Sequence, residues 1–302
     1  MVKLILDTDI GTDVDDCLAL AFLLGSPEIE WTGITCVYGD VLLRARMVAK
    51  LLTLAGRPDI PIRLGASQTL LGIRSIYWEG HEGEGLLEAS PSDPHIDPEN
   101  AVDFIIRSVM DDPGGIHLLA IGPLTTVALA LSIEPRLAQN MAGLTIMGGA
   151  LRGRESLDLP IAEHNIACDP EAAQVVLASG APITLVPLDV TTQCRIQRED
   201  VALLRARGDA FHAAVADQVE RYPFFARHGY TYLHDPLAAA VMLRPDLVEL
   251  TSVNVAVETE GRLTSGMTVM TLPKADSPAP VSVALQVDAA AAEGFIRERL
   301  RA

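Results

Sequence analysis

The chain opens with Val2-Lys3-Leu4-Ile5-Leu6-Asp7-Thr8-Asp9-Ile10-Gly11-Thr12-Asp13-Val14-Asp15-Asp16, an apolar run that turns acidic within a few residues. Residues 2–6 have the pattern of a buried strand, and residues 15–24 that of a helix that is apolar almost all round. Five carboxylates therefore stand within ten residues, between two buried elements. Packing them there without a cation would cost several kcal/mol in mutual repulsion and desolvation. This acidic junction predicts a metal site.

The acidic junction is also compatible with two arrangements that need no metal. Most runs of charged residues are simply exposed to solvent. Alternatively, Asp13 or Asp15 could cap the following helix. A cap accounts for one or two carboxylates and leaves the others unexplained. Ligands that are all oxygen favour Ca²⁺ or Mg²⁺ over zinc, and their density favours Ca²⁺, which accepts about 6–8 oxygens. The run does not match an EF-hand loop, whose sixth residue is Gly and twelfth Glu, because these places hold Thr12 and Leu18.

Short apolar runs alternate with helical patterns along the chain. Further strands are predicted at 29–37, 116–121, 144–147 and 183–188, and helices at 42–54, 124–131 and 171–178. This alternation predicts an α/β fold with an open, mostly parallel central sheet and helices on both faces. Towards the C-terminus we expect helices at 200–226, 235–243 and 289–300, and strands at 248–257 and 281–287. No linker interrupts the pattern, so one domain over 1–302 is expected.

Polar or glycine-rich residues follow the later parallel strands, as they follow the first: Tyr38-Gly39-Asp40, Gly122-Pro123, Gly148-Gly149 and Asp189. Ligands bind at the carboxyl ends of strands in such sheets, so we expect these residues to share one edge with the acidic junction. Three further groups carry usable chemistry: Glu163-His164-Asn165, His234-Asp235-Pro236 and the run from His81 to Gly85. Each could equally be a helix cap or a solvated loop.

The composition limits the possible partners. A formal net charge of −17 argues against a nucleic-acid binder and against docking on an anionic membrane. The four cysteines show no CxxC spacing, so we expect buried free thiols rather than a zinc site. The first strand reaches Asp7 too early for a signal peptide, and no apolar run approaches the ~18 residues of a membrane span. A cytoplasmic protein is expected.

Taken together, the motifs resemble those of the inosine-uridine nucleoside hydrolase family, along essentially the whole chain. The resemblance lies in their order and spacing: residues 6–11 with Asp15-Asp16, then 34–40, Gly122-Pro123-Leu124-Thr125, Met147-Gly148-Gly149, 162–165 with 169–173, 188–191, and His234-Asp235-Pro236. The resemblance implies hydrolysis of the N-glycosidic bond of ribonucleosides to ribose and free base. It also implies a bound Ca²⁺ and a homodimer or homotetramer.

The resemblance further implies roles for individual residues. The metal ligands would be Asp9, Asp15, Asp16, Asp235 and the backbone carbonyl of Ile121. Asp9 would be the general base that activates the metal-bound water, and His234 would assist the leaving group. The substrate-binding residues would be Asp40, His81, Met147, Glu163 and Asn165.

Three departures from the family pattern affect what can be expected. The acidic run is two residues longer than the commonest form, because Thr12-Asp13 intervene. Asp40 stands where many members carry Asn. The Asn that often contacts the ribose 5′ end has no clear equivalent at 155–158. The base and sugar preferences are therefore left open.

Two alternatives to a nucleoside hydrolase remain. One is a calcium-containing nucleoside- or ribose-binding protein without catalysis on the same scaffold. The other is a Mg²⁺-dependent phosphatase of the haloacid-dehalogenase type, with Asp7 as nucleophile. The phosphatase needs a later lysine for phosphate, and the chain offers only Lys3, Lys50 and Lys274.

Overall fold

The computed structural model describes residues 1–87, 96, 99–151, 159–273 and 280–302. Its strands are β1 (Val2–Thr8), β2 (Ile29–Cys36), β3 (Ile62–Leu64), β4 (Ile116–Ala120), β5 (Gly143–Met147), β6 (Ile183–Val186), β7 (Arg195–Gln197), β8 (Tyr230–Tyr232), β9 (Val248–Val257), β10 (Thr268–Thr271) and β11 (Val281–Val287). Its helices are α1 (Asp15–Leu24), α2 (Val41–Leu54), α3 (Ala101–Asp111), α4 (Thr125–Ile133), α5 (Leu137–Asn140), α6 (His164–Cys168), α7 (Pro170–Leu177), α8 (Leu188–Thr191), α9 (Arg198–Arg205), α10 (Ala210–Arg221), α11 (Pro223–His228), α12 (His234–Leu243) and α13 (Ala289–Leu300).

The central sheet confirms the predicted mostly parallel architecture. Its strand order is β10-β9-β11-β6-β5-β4-β1-β2-β3, and the run from β11 to β3 is parallel. At one edge, β9 runs antiparallel to both of its neighbours, β11 and β10. Strands β2 and β3 follow β1 on one side of it, whereas β4, β5 and β6 follow on the other side. The order therefore reverses between β1 and β4, and a crevice opens there at the carboxyl ends.

Both faces of the sheet are covered by helices, as predicted. Along β1, Leu4 and Leu6 pack into the apolar cluster that contains α1, α2 and α12. Ile5 points the other way, into the cluster that contains α4 and α7. Each side chain is at most 1% exposed, and such burial stabilises the fold by about 1.5–3 kcal/mol per residue. The first strand is therefore fixed from both sides, and with it the start of the acidic junction.

Some predicted elements are wrong in detail. The single helix expected at 200–226 is three helices, α9, α10 and α11. Gly208, with a φ of 78°, ends the first segment, and Pro223 opens the third. The strand expected to reach 188 ends at Val186, and Leu188 begins α8. Helix α3, capped by Asn100, was not predicted.

Two predictions from composition can be compared with the structure. Within the described ranges, no helix is long and apolar enough to cross a membrane. The four cysteines are buried and free, which confirms the expectation of unpaired thiols.

Candidate active site

A cavity of about 470 Å³ opens at the carboxyl ends of the parallel strands. Most of the predicted site residues line it: Asp9, Asp15, Asp16, His81, Ile121, Met147, Glu163, Asn165, His234 and Asp235. They come from six separate segments of the chain. The sheet therefore brings the predicted residues together, with the exception of Asp40.

The acidic junction forms the inner end of this cavity. The side chain of Asp13 accepts a hydrogen bond from the Asp15 amide at 3.1 Å, so one carboxylate does help to start α1. Asp16 accepts a hydrogen bond from the Thr8 hydroxyl. The amide of Asp235 lies 3.4 Å from Asp15 Oδ2, which brings the start of α12 against the start of α1. Asp13 thus contacts the start of α1, whose N-cap residue is Val14, and it also lines the cavity together with Asp9, Asp15 and Asp16.

Ile121 reaches the cavity because β4 lies beside β1. Asp7 pairs with Ala120 in the register, and the Ile121 amide donates to the Asp7 carbonyl at 2.9 Å. The Ile121 carbonyl accepts a hydrogen bond from Asn165 Nδ2 at 3.0 Å. A carbonyl oxygen has two lone pairs, so one remains for a ligand.

Burial and mutual repulsion govern the charges at the inner end. Burial, reinforced by neighbouring carboxylates, raises the pKa values of Asp16 and Asp235 well above their usual range. Burial also raises the pKa of Asp7 to about 7, and within the described residues its Oδ2 has no hydrogen-bond partner. Carboxyl oxygens of Asp13, Asp15 and Asp16 lie within 4.8 Å of one another. This crowded set of oxygen donors fits a hard divalent cation.

The polar residues beside the inner end are held by backbone contacts. Glu163 caps α6, with Oε1 accepting from the Asn165 amide at 2.7 Å and Oε2 from the Gly149 amide at 3.0 Å. The Nδ2 of Asn165 donates to the Met147 carbonyl at 3.2 Å as well as to Ile121. These contacts fix both side chains at the ends of β4 and β5. The side-chain oxygen Oδ1 of Asn165 and the remaining lone pairs of the Glu163 carboxylate can accept hydrogen bonds from hydroxyl groups.

His234 lines the cavity at the first residue of α12. Its Nδ1 lies 2.7 Å from the Thr191 hydroxyl, and its ring is 5.3 Å from that of Tyr232. Burial lowers the pKa of His234 to about 4, so the imidazole is neutral near pH 7. A neutral imidazole carries one N–H, and the other ring nitrogen accepts.

His81 lies on the opposite part of the outer wall. Its Nε2 is 2.9 Å from the Thr12 carbonyl, so the ring is held against the two-residue insertion. Glu82 is buried, and its carboxylate accepts from the amides of Glu79 and Gly80. The loop that carries His81 is therefore closed on itself and fastened to the acidic junction.

One predicted substrate contact, Asp40, is not brought to the cavity. Asp40 is exposed and lies outside the lining of the cavity. Its carboxylate accepts a hydrogen bond from the Leu43 amide at 2.9 Å and caps α2. In this structure Asp40 is a helix cap outside the cavity lining, and the substrate contact predicted for it stays a prediction. The stretch 155–158, where the missing Asn was sought, lies outside the described residues.

The sequence interpretation missed Arg44, and it named His164 within the group Glu163-His164-Asn165 without assigning it a role. Arg44 is fully buried and lies against the acidic junction, and its signal was a charged residue within the apolar pattern of α2. His164 lines the cavity between Glu163 and Asn165. Burial alone would lower its pKa, but the contact with Cys168 and the carboxylates of Asp9 and Glu163 raise the pKa of His164 to about 10. A histidine between two predicted substrate residues was the available signal.

Comparison with known proteins gives consistent results. A sequence model described as inosine-uridine preferring nucleoside hydrolase matches residues 4–293. The chain is 36% identical to pyrimidine-specific ribonucleoside hydrolase RihA of Citrobacter koseri, over 89% of this chain and 88% of that protein. It is 33% identical to uridine nucleosidase 1 of Arabidopsis thaliana, over 99% and 93%. The solved structure of a plant nucleoside hydrolase matches with a TM-score of 0.87 at 31% identity, covering 100% of this chain and 99% of that one.

Proposed function

Because the chain belongs to the inosine-uridine preferring nucleoside hydrolase family, we propose that it hydrolyses the N-glycosidic bond of ribonucleosides in a calcium-dependent reaction. The products are ribose and the free base. One observation carries the proposal. A crowded set of buried carboxylates, the Glu163–Asn165 pair and His234 line a single cavity at the point where the strand order reverses.

The metal ligands we propose are Asp9, Asp15, Asp16, Asp235 and the carbonyl of Ile121. The repulsion among the buried carboxylates and the close approach of the Asp15 and Asp16 oxygens support this assignment. When bound, a calcium ion offsets the negative charge, orients sugar hydroxyls and lowers the pKa of the water that it holds.

The protein groups then divide the work. Asp9 takes a proton from the attacking water as general base. Glu163 and Asn165 hold ribose hydroxyls, and Met147 packs against the sugar while oxocarbenium character develops on the ring. His234 protonates the departing base from its imidazolium form and is left as the neutral imidazole, while the base leaves as a neutral heterocycle. Because burial lowers the pKa of His234 to about 4, the imidazolium is a minor species near pH 7 and takes up its proton from solvent.

The base lies against the outer wall, where His81 and His234 stand on different segments. Pyrimidine ribonucleosides, uridine among them, are the first substrates to test, because the names of two relatives specify them. We also propose that the chain is a single domain over 1–302 that acts in the cytoplasm as a homodimer or homotetramer.

A calcium-containing binding protein without catalysis is the second candidate, and the same carboxylate cluster favours it. The phosphatase alternative lacks support from the site. Among the described residues the cavity lining contains no lysine, and Lys3 pairs with Asp112 at 2.7 Å instead.

A nucleoside panel tests the proposal. Purified protein is incubated with purine and pyrimidine ribonucleosides, and free ribose is measured with and without EGTA. We expect release that EGTA and Asp9→Ala abolish, and that the exposed Asp246→Ala leaves unchanged. Calcium binding without release from any nucleoside would favour the binding protein.

A further inference from the structure

Arg44 is the largest of the fully buried side chains in the described structure, and it is charged. It projects from α2, whose other buried residues are apolar. Burying a guanidinium is costly unless its donors are satisfied and its charge is paired. The partners of Arg44 therefore show what this charge is retained for.

The guanidinium directs its donors at two backbone segments. Nε donates to the Tyr38 carbonyl at 2.7 Å, and Nη1 donates to the carbonyls of Asp9 and of Ile10, the latter at 2.9 Å. Nη2 donates to the Thr12 hydroxyl at 3.3 Å and lies 4.0 Å from Asp9 Oδ2. Arg44 thus holds the acidic junction on one side and the turn after β2 on the other. That turn needs a support, because Tyr38 has a φ of 70°.

The wall loop, defined as residues 77–82, is fastened to the same group of residues. The Tyr77 amide donates to the Tyr38 hydroxyl at 2.8 Å, and Arg44 lies 5.0 Å from the centre of the Trp78 ring. Thr12 supplies two more contacts, through its hydroxyl to Glu82 Oε1 at 3.5 Å and through its carbonyl to His81. Three residues of the wall loop line the cavity: Tyr77, Glu79 and His81.

We propose that Arg44 and Thr12 are positioning residues that fix the wall loop relative to the acidic junction. They set the distance between the metal end of the cavity and the wall against which the base rests. This gives the two-residue insertion a purpose, since its Thr12 joins Arg44 to both His81 and Glu82. The assignment rests on the proposed function in one respect only, because that function identifies the molecule in the cavity as a nucleoside.

The variants are chosen to separate positioning from folding. Thr12→Val keeps the shape of the side chain and removes only the hydroxyl, whereas Thr12→Ser keeps the hydroxyl. Arg44→Gln removes the charge and most donors. Arg63→Gln is the control, because Arg63 is also buried but pairs with Glu99 and the Phe104 ring, away from the cavity.

The first measurement needs no turnover. The chain has two tryptophans, so Trp31→Phe leaves Trp78 as the only one. In that background we expect Thr12→Val and Arg44→Gln to shift Trp78 emission to longer wavelength and to increase its quenching by acrylamide. Thr12→Ser should restore the parent signal, and Arg63→Gln should keep it. Unchanged emission in both test variants, or the same change in Arg63→Gln, would overturn the assignment.

The second measurement is the split between KM and kcat for the nucleoside that wild type cleaves fastest. Loss of one anchoring hydrogen bond in Thr12→Val should raise KM about two- to tenfold with little change in kcat. Arg44→Gln should also lower kcat, because it contacts the backbone of Asp9. An unchanged KM in both variants counts against the assignment. Failure of wild type to cleave any nucleoside refutes the proposed function alone, since the Trp78 measurement still decides the positioning role.

Discussion

The two ends of the cavity are built in different ways. The inner end consists of residues at strand ends and helix starts, where β1, β4, α1 and α12 meet. The outer wall includes His81 on a loop and His234 at the first residue of α12, and among the described interactions a polar contact fixes each ring, to Thr12 and to Thr191. The sheet register fixes the inner end as one unit, whereas the wall is held by individual side-chain contacts.

This difference predicts how substitutions combine. The inner carboxylates influence one another's pKa values, so their effects on activity should be strongly non-additive. Histidines on separate segments of the wall share no contact among the described interactions, so their effects should add. The following changes probe this contrast, in decreasing order of effect.

Asp9→Asn at the inner end should have the largest effect. Removing the proposed general base should lower kcat about 10²–10⁴-fold, measured as ribose release. The melting temperature in chelator should hold or rise, because one of several repelling buried carboxylates becomes neutral. A loss below tenfold would remove Asp9 from the role of base.

His234→Ala should affect the wall selectively. We expect a loss of about 10²-fold with uridine but under about threefold with a nitrophenyl riboside, whose leaving group needs no proton. Rates are compared for both substrates at saturation. Equal losses for the two substrates would exclude His234 as the leaving-group acid.

His81→Ala should act on binding more than on turnover. Loss of one contact to the base should raise KM about two- to tenfold while kcat stays close to wild type. In a double variant with His234→Ala, the two effects on kcat/KM should multiply. A strongly non-multiplicative result would show that the wall is a coupled unit like the inner end.

His117, near the start of β4 and outside the cavity lining, offers a reference in which a half-buried polar group affects stability alone. Burial lowers its pKa from 6.5 to about 4, so the folded protein binds fewer protons than the unfolded chain between these values. The contribution of neutral His117 to the free energy of unfolding is therefore complete above pH 6.5. It is lost as the pH falls towards 4, by at most about 3 kcal/mol. His117→Gln should flatten this dependence in urea titrations at several pH values without changing kcat. A pH dependence of stability that is the same in His117→Gln as in wild type would contradict the lowered pKa of His117.

The elements that sequence predicts best are those with continuous patterns. Helix α1 begins and ends where the apolar run predicted it, and β9, β11 and α13 have the predicted bounds. The short strand β3 and the helix α3 went unpredicted, although Asn100 is an ordinary helix cap. The helix expected at 200–226 failed because Gly208 and Pro223 outweigh an otherwise helical composition.

Among the site residues, the sequence predicted the carboxylates but not Arg44, which contacts the acidic junction. A cluster of five aspartates between two apolar elements is conspicuous, and motif spacing then selected Glu163, Asn165 and His234. The place of Arg44 at the site was not predicted, because a single arginine in a helix is ordinarily exposed. Asp40 was predicted to contact substrate, and the structure places it at the start of α2 as a cap, outside the cavity lining.

Patterns only a few residues long were enough to specify the parallel sheet, the edge that carries the chemistry and the acidic junction. The folded chain was needed to learn that Asp235 lies against Asp15, 220 residues away, and that Arg44 faces the junction rather than solvent. The physical reason is that burial and pairing of a charge depend on every element packed around it. Local periodicity specifies which face of an element is apolar, but not which distant residue that face will meet.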